Sequence, residues 1–297
     1  LMHVLGGVLL VAGLLGVAQE PGGLALRAFR ADAPGTWLLL AGILVNAGAP
    51  PVSAWVADAY PRASWSGAVF LSAFTTKAAV AVLIRLFPGE EVLVAVGIAM
   101  AVYGLLYALI ENDIRRLLSY SIVGQVGFMV VAVGIGTPLA LGAATAHAFV
   151  HILYKSLLMM AAGTVLRATG TARLTALGGL ARSMPLVTAA MILGGLALAA
   201  LPLTAGFVSK SAIMQALAED KAATAWFLLT AVSAGSLLYA GLRLPWFAML
   251  RPKVAPVAAA PVPVTMFAAM ALVGAAILAI GFVPSLLTSL VPAIADV

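Results

Sequence analysis

Long apolar stretches alternate along this chain with short polar or Pro/Gly-rich connections. The hydrocarbon core of a membrane is about 30 Å thick, and about 20 mostly apolar residues in an α-helix cross it. Division of the sequence at its charged and Pro/Gly-rich breaks leaves nine such stretches, at 2–18, 37–55, 66–87, 92–110, 117–135, 139–166, 185–217, 223–249 and 263–291. The pattern therefore predicts an all-α fold, a polytopic bundle of about nine transmembrane helices.

The stretch at 185–217 is too long for one straight crossing. Its 33 residues would extend about 50 Å as a helix. Pro202 has no backbone N–H to donate and so frees the carbonyl of Leu198, while Thr204 suits an interrupted helix. The sequence predicts a discontinuous helix here.

The stretch at 37–55 contains a matching break. Pro50 and Pro51 would free the carbonyls of Asn46 and Ala47. Two membrane helices interrupted by proline are typical of ion sites formed at discontinuous helices, in halves related as inverted repeats. Ordinary proline kinks are the alternative.

Composition supports lipid as the solvent for most of the chain. Of the 297 residues, 64% are hydrophobic and 9% are charged, against roughly 25% charged in soluble domains. Cysteine is absent, which excludes iron–sulfur clusters held by thiolates, and no cofactor is expected. The formal net charge of +6 comes without a basic run, so we attribute it to membrane topology and predict no nucleic-acid partner.

The basic residues of the connections predict an orientation, because cytoplasmic loops are rich in Lys and Arg. One side carries nine: Arg62, Arg115, Arg116, Arg167, Arg173, Arg182, Arg243, Arg251 and Lys253. The other side carries four: Arg27, Arg30, Arg85 and Lys221. The prediction is a multi-pass protein of the cell membrane, of the bacterial inner-membrane type, with residue 1 cytoplasmic and residue 297 outside.

Lys77 lies eleven residues into the stretch at 66–87, about 16 Å along a helix and near the midplane. A buried ammonium is costly, by roughly several kcal/mol, unless it is paired or changes its charge as neighbouring charges change. The second behaviour suits a proton carrier. The alternative is a lysine that forms a salt bridge for packing alone.

His147, His151 and Lys155 are spaced at i, i+4 and i+8, on one face of a helix. Neutral imidazole accepts on one nitrogen and donates from the other, so the row suits proton relay through water. Metal binding and purely structural histidines are the alternatives, although no third ligand follows nearby in the sequence. Ser209 and Lys210 lie in the second interrupted stretch.

Several segments together resemble the antiporter-like subunits shared by Mrp cation/proton antiporters, complex I and membrane-bound hydrogenases. The resemblance covers nearly the whole chain. It rests on PPVSAWVADAY at 50–60, FTTK at 74–77, NDIRRLLSYSIVGQVG at 112–127, the row at 147–155 and the segment at 202–210. GSLLYAGLRLP at 235–245 looks closest to the D-type subunit of Mrp antiporters.

The resemblance implies a fold of fourteen helices with two inverted five-helix repeats, of which this chain would supply helices six to fourteen. It places the end of the first repeat, with its preceding and linking helices, at 1–110, the second repeat at 92–250 and a C-terminal transmembrane helix at 251–297. The implied protein is no enzyme by itself. It belongs with other membrane subunits in a hetero-oligomeric complex.

The resemblance also implies roles along a mid-membrane row of ionisable groups. Lys77 would connect two half-channels, the row at 147–155 would continue the axis, and Lys210 would be the terminal carrier. The family's lysine on the first broken helix is replaced by Asn46, nine residues before Trp55. Asparagine holds water but carries no charge. The family's glutamate on helix five would precede Leu1.

The expected function is translocation of protons, or of sodium with protons, most similar to that of the D-type Mrp subunit. A proton-pumping subunit of a complex I or hydrogenase-type redox complex is the first alternative. A non-conducting scaffold, suggested by Asn46, is the second. An intramembrane enzyme with a metal on His147 and His151 is the third.

Overall fold

The computed structural model describes residues 1–20, 22–252 and 260–295. Within these ranges the chain is helical, with no strand beyond one isolated bridge between Asp113 and Arg173. The helices are α1 Met2–Val17, α2 Pro34–Ala47, α3 Ala54–Ala59, α4 Trp65–Leu86, α5 Val92–Ile110, α6 Ile114–Ile135, α7 Pro138–Thr169, α8 Pro185–Leu198, α9 Ala205–Glu219, α10 Ala223–Ser236, α11 Val264–Phe282 and α12 Ser285–Thr288. Lys253 and Val297, used above for topology, lie outside the described residues.

The helical pattern agrees with the predicted spans at most positions. Six helical segments in the described part are long and apolar enough to cross a membrane, and α1, α2 and α8 are shorter apolar helices. The stretch at 37–55 separates into α2 and α3, and the stretch at 185–217 separates into α8 and α9. Both predicted interruptions are confirmed.

Two predicted stretches differ from the structure. The stretch at 263–291 is wrong in its last part, because α11 ends at Phe282 and the short helix α12 follows Pro284. The stretch at 223–249 is helical but not uniformly α. After α10 it continues as the π-helical segments Leu237–Arg243 and Trp246–Leu250, on either side of Pro245. Proline has no N–H for the i−4 carbonyl, so the regular ladder cannot pass through it.

Helices α6 and α7 form the centre of the bundle. Residues 117–134 of α6 are all buried, which is the environment of a helix with neighbours on every side. Glycines bring α5 against α6: a Cβ added at Gly104 would lie 2.3 Å from the backbone nitrogen of Gly124. Small residues allow such close approach between membrane helices.

Three arginines assigned to the same side of the membrane each bond to backbone carbonyls at helix ends or in connections. Arg115, which is buried, donates to three carbonyls between α3 and α4. Arg243 donates to carbonyls in the last turn of α5, and Arg251 donates to carbonyls in the connection after α7. These bonds connect the arginines to backbone carbonyls of other segments, so the arginines also have a structural role.

Candidate functional site

The break between α8 and α9 places a buried lysine against a backbone carbonyl. The carbonyl of Leu198, which Pro202 was predicted to free, accepts a hydrogen bond from Lys210 Nζ at 2.7 Å. Lys210 lies on the second turn of α9 and its side chain returns toward the end of α8. An ammonium is thereby held by a backbone dipole that an uninterrupted helix would have used internally.

The backbone of this break adopts conformations that side chains disfavour. Ala200 and Leu203 have φ angles of 62° and 68°, in the left-handed region. Thr204 directly precedes α9, and its hydroxyl donates to the carbonyl of Leu201 at 2.7 Å. Gly206 follows, and a Cβ there would lie 1.8 Å from the carbonyl oxygen of Ala197. The two half-helices therefore touch backbone to backbone.

Lys210 is 3% exposed and has two further neighbours. Its Nζ donates to Ser233 Oγ on α10 at 3.3 Å and lies 4.9 Å from the centre of the Phe128 ring on α6. An aromatic face stabilises a cation modestly, and more so where water is excluded. The site thus offers the charged form a carbonyl, a hydroxyl and a ring, all uncharged.

His147 on α7 connects the second break to the centre of the bundle. Its Nδ1 lies 2.9 Å from the hydroxyl of Ser209, the residue before Lys210. Its Nε2 lies 3.5 Å from the hydroxyl of Tyr154, which donates to Gln125 Oε1 on α6 at 3.3 Å. Both ring nitrogens face hydroxyl groups that can donate or accept, which is the requirement for a proton relay.

His151 and Lys155 continue the row along α7. The His151 ring centre lies 6.3 Å from that of His147, and both side chains are fully buried. Neither ring nitrogen of His151 has a hydrogen-bond partner among the described residues. Lys155 Nζ donates to the carbonyl of Leu118 at 3.2 Å and to the hydroxyl of Ser121. His147, His151 and Lys155 are therefore all buried on α7, at the spacing that predicted a single face.

Lys77 on α4 is buried and is bonded within its own helix. It donates to the carbonyl of Ser72 and to Thr76 Oγ1, the latter at 3.3 Å. Lys77 also lines a cavity of about 540 Å³ with Thr145 of α7 and with Arg85, at the end of α4. This cavity joins the lysine to the end of the bundle opposite Arg115.

The three deep lysines lack anionic partners in the described part of the chain. The ion pairs found there are Arg27 with Glu20, and Arg116 with both Asp58 and Glu111. The prediction that Lys77, Lys155 and Lys210 are buried is confirmed. The alternative of a packing salt bridge finds no support among the described contacts. Among the described residues, charge on these groups is stabilised by carbonyls and hydroxyls, and at Lys210 also by the Phe128 ring, so it costs free energy.

The break between α2 and α3 is built differently. Gly48, with a φ angle of 83°, ends α2 before Pro50 is reached. The carbonyls predicted to be free were those of Asn46 and Ala47, whereas the side-chain donor found here, Trp55 Nε1, bonds to the carbonyl of Val45 at 2.9 Å. The left-handed glycine ends the helix earlier than proline alone would.

Asn46 is tied to two neighbours at this break. Its Nδ2 donates to the carbonyl of Gly42 at 2.9 Å, and its Oδ1 lies 3.1 Å from Nδ1 of His3 on α1. The histidine and the asparagine that come together here are 43 positions apart. No spacing rule in the sequence indicates that contact.

Comparison with known proteins places this arrangement in a family. Residues 2–238 match the family described as NADH:quinone oxidoreductase/Mrp antiporter, transmembrane. The chain belongs to this family.

Relatives of this antiporter-like chain include subunits of redox complexes. NADH-quinone oxidoreductase subunit L of Pseudomonas aeruginosa is 36% identical over 70% of the chain and 37% of the relative. Hydrogenase-4 component B of Escherichia coli is 32% identical over 80% of the chain and 38% of the relative. The chain therefore spans less than two-fifths of the length of these relatives.

Solved structures share the fold. The Mrp complex from a Dietzia species superposes with a TM-score of 0.88 at 23% identity, over 99% of this chain and 66% of that one. Respiratory complex I from Thermus thermophilus superposes with a TM-score of 0.81 at 28% identity, over 96% and 66%. The antiporter-like chain is an integral membrane protein with the all-α fold of these membrane subunits.

Several polar residues that contact the predicted site residues, or contact one another beside them, were not predicted from the sequence. They are His3, Ser121, Gln125, Tyr154 and Ser233. Ser121 and Gln125 are four residues apart on α6, on the same face, and Tyr154 stands three residues after His151. That spacing was visible in the sequence. The partner of each residue was not, because it lies on another helix.

Proposed function

We propose that this chain conducts protons, or exchanges sodium for protons, as a membrane subunit of a hetero-oligomeric complex of the bacterial cell membrane, in the role of the D-type subunit of an Mrp antiporter. The observation that carries the proposal is the set of three buried lysines without anionic partners among the described residues. Such groups are expensive to keep charged. Their cost is explained if each gains and loses a proton or responds to a cation during transport.

In this proposal the groups act in an order along the bundle. Lys77 exchanges with the cavity that runs to Arg85. His151 and His147 continue along α7 toward the second break. His147 reaches Ser209, which directly precedes Lys210. Because a charge on one lysine raises the cost of charge on the next, a proton that arrives at one end favours release at the other.

Lys210 acts as a terminal carrier in this proposal. In its charged form it is bound to the Leu198 carbonyl, the Ser233 hydroxyl and the Phe128 ring. Loss of the proton weakens all three contacts and leaves the carbonyl of the broken helix available to water or to a cation. In this proposal, Lys210 therefore has different contacts at the break in its charged and neutral forms. The proposal also includes the orientation predicted from the sequence, in which residue 1 lies on the cytoplasmic side of the membrane.

The test replaces Lys77 or Lys210 by Ala in the full-length protein within its complex, reconstituted in vesicles. We expect proton flux per assembled complex to fall by about two orders of magnitude, the scale of losing one proton-transfer group. Lys221→Gln is the matched control, since Lys221 is exposed in the connection after α9. The flux is followed with a pH-sensitive dye, with and without sodium. Normal flux in assembled Lys210→Ala complexes contradicts the proposal.

A redox-driven pump is the second candidate, favoured by the 36% identity to a subunit of NADH-quinone oxidoreductase. The two candidates differ in the source of energy. Vesicles that acidify only when an electron donor is oxidised support the redox pump, and vesicles that respond to a sodium gradient alone support the antiporter. A scaffold would give a third result, in which the substitutions change assembly while flux per assembled complex stays normal.

A further inference from the structure

We infer that His3 supplies a proton-binding group at the first break, where Asn46 cannot titrate. The inference rests on the proposed function and extends it to the first interrupted helix. His3 Nδ1 lies 3.1 Å from Asn46 Oδ1, and the imidazole ring centre lies 4.5 Å from that of Trp55, edge to face. The histidine is therefore placed by two neighbours, both of which belong to the interrupted segment from α2 to α3.

The hydrogen bonds around Asn46 determine which nitrogen of His3 carries a proton. The carbonyl of Gly42 accepts only, so the Asn46 amide nitrogen must face it, and the Asn46 oxygen is then an acceptor toward His3. His3 Nδ1 must donate, which leaves Nε2 as the basic nitrogen. Nε2 makes no hydrogen bond to the described residues, so it is the nitrogen that can take up a second proton. Asn46 is a positioning residue that determines the tautomer.

Close packing of α1 on α2 maintains this geometry. A Cβ added at Gly6, one turn from His3, would lie 3.1 Å from Asn46 Nδ2. Trp55 is itself held by its bond to the Val45 carbonyl. A larger residue at position 6 would displace the amide, and the amide would then release the imidazole.

The second break shows the same arrangement with different residues. There too the helix that precedes the interrupted pair carries a histidine, and its Nδ1 contacts a polar side chain of the interrupted segment: His147 with Ser209 at 2.9 Å. Helix α1 precedes α2 and α3 as α7 precedes α8 and α9. The parallel supports a proton-carrying role for His3, since His147 already bridges two hydroxyl groups of the axis.

Few charged groups face His3. Helix α1 has no other titratable side chain and α2 has none. On α3, Asp58 is paired with Arg116 at 3.5 Å, and at the end of α3 the Tyr60 ring lies 5.9 Å from that of Trp55. Lys77 and Arg85 come from α4, which packs on α2. Protonation at Nε2 gives an imidazolium that keeps its Nδ1–H bond to Asn46, and release returns the same tautomer.

The test is His3→Gln in the full-length protein within its complex, because glutamine can hydrogen-bond to Asn46 without titrating. We expect proton flux per assembled complex to fall about tenfold or more, as when a general acid–base group is removed. The double variant His3→Gln with Asn46→Lys should recover flux, because the added amine supplies a proton-binding group at the same break.

Val4→Gln is the control for a polar residue on α1, since Val4 is 66% exposed and adjacent to His3. An equal loss in Val4→Gln, or a loss in His3→Gln that the added lysine does not recover, overturns the inference. If flux is normal in the His3→Gln variant but lost in the Lys210→Ala variant, the inference about His3 is overturned and the proposed function stands. Normal flux in both variants overturns the proposed function itself.

Discussion

At each of the two interrupted helices a side chain donates a hydrogen bond to a backbone carbonyl near the break, but the two donors differ in charge. At the break between α8 and α9, a lysine ammonium takes up the freed carbonyl of Leu198. At the break between α2 and α3, the neutral indole of Trp55 takes up the carbonyl of Val45. An interruption alone therefore does not make an ion site. The donor that fills the interruption decides whether charge is present there.

The breaks also differ in how the backbone turns. The first break places Gly48 in the left-handed region, where glycine is unstrained. The second break places Ala200 and Leu203 there, at a cost of about 1 kcal/mol or more each. Such a conformation persists only if packing enforces it. Helix α11 contributes to that packing, because a Cβ added at Gly281 would lie 2.2 Å from the Leu203 carbonyl oxygen.

The largest effect is expected from Gly206→Ala at the second break. The added methyl group would meet the Ala197 carbonyl oxygen at 1.8 Å, and neither backbone can move without opening the break. We expect the free energy of unfolding to fall by about 3 kcal/mol or more. The measurement is the midpoint of thermal unfolding of the purified complex in detergent, with the yield of assembled protein.

Gly7→Ala on α1 is the matched control for that substitution, because nothing lies within 4 Å of a Cβ at Gly7. It should leave the midpoint unchanged or slightly raised, since alanine favours helix. If Gly206→Ala behaves like Gly7→Ala, the half-helices are not in backbone contact, and the contrast between the two breaks is lost.

A moderate effect is expected from Trp55→Phe at the first break. Phenylalanine keeps an aromatic ring but removes the indole N–H, and the Val45 carbonyl loses its side-chain donor. The expected cost is about 1 to 2 kcal/mol in the same thermal measurement. Trp37→Phe is the control, since Trp37 is 46% exposed and should tolerate the change. Equal effects at the two tryptophans would show that the bond to Val45 does not support the break.

The smallest effect is expected from Ala200→Gly. Relief of the left-handed strain contributes about 1 kcal/mol, and the greater freedom of glycine in the unfolded chain offsets part of it. We expect a net gain of about 0.5 kcal/mol in the free energy of unfolding. Ala199→Gly is the control, because Ala199 has a φ angle of −73° and gains nothing from glycine. A midpoint lowered equally in both variants would mean that position 200 is not strained.

Local features of the sequence were enough to predict the membrane class, the main spans, the two breaks and the burial of the lysines. The length of an apolar stretch can be compared directly with the thickness of the membrane, and a proline in the interior of a helix removes a backbone hydrogen bond there. Lys77 lies too far from either end of its stretch for its side chain to extend to the membrane surface. The row at 147–155 follows from helical period alone.

Which groups meet across the bundle depends on the tertiary structure. The pairs His3 with Asn46 and His147 with Ser209 are 43 and 62 positions apart, and each depends on how two helices are rotated and offset against one another. The same holds for the bond from Trp55 to the Val45 carbonyl, which joins residues ten positions apart across the first break. Helix packing is set by the summed contacts of whole faces, so no short segment of sequence contains it.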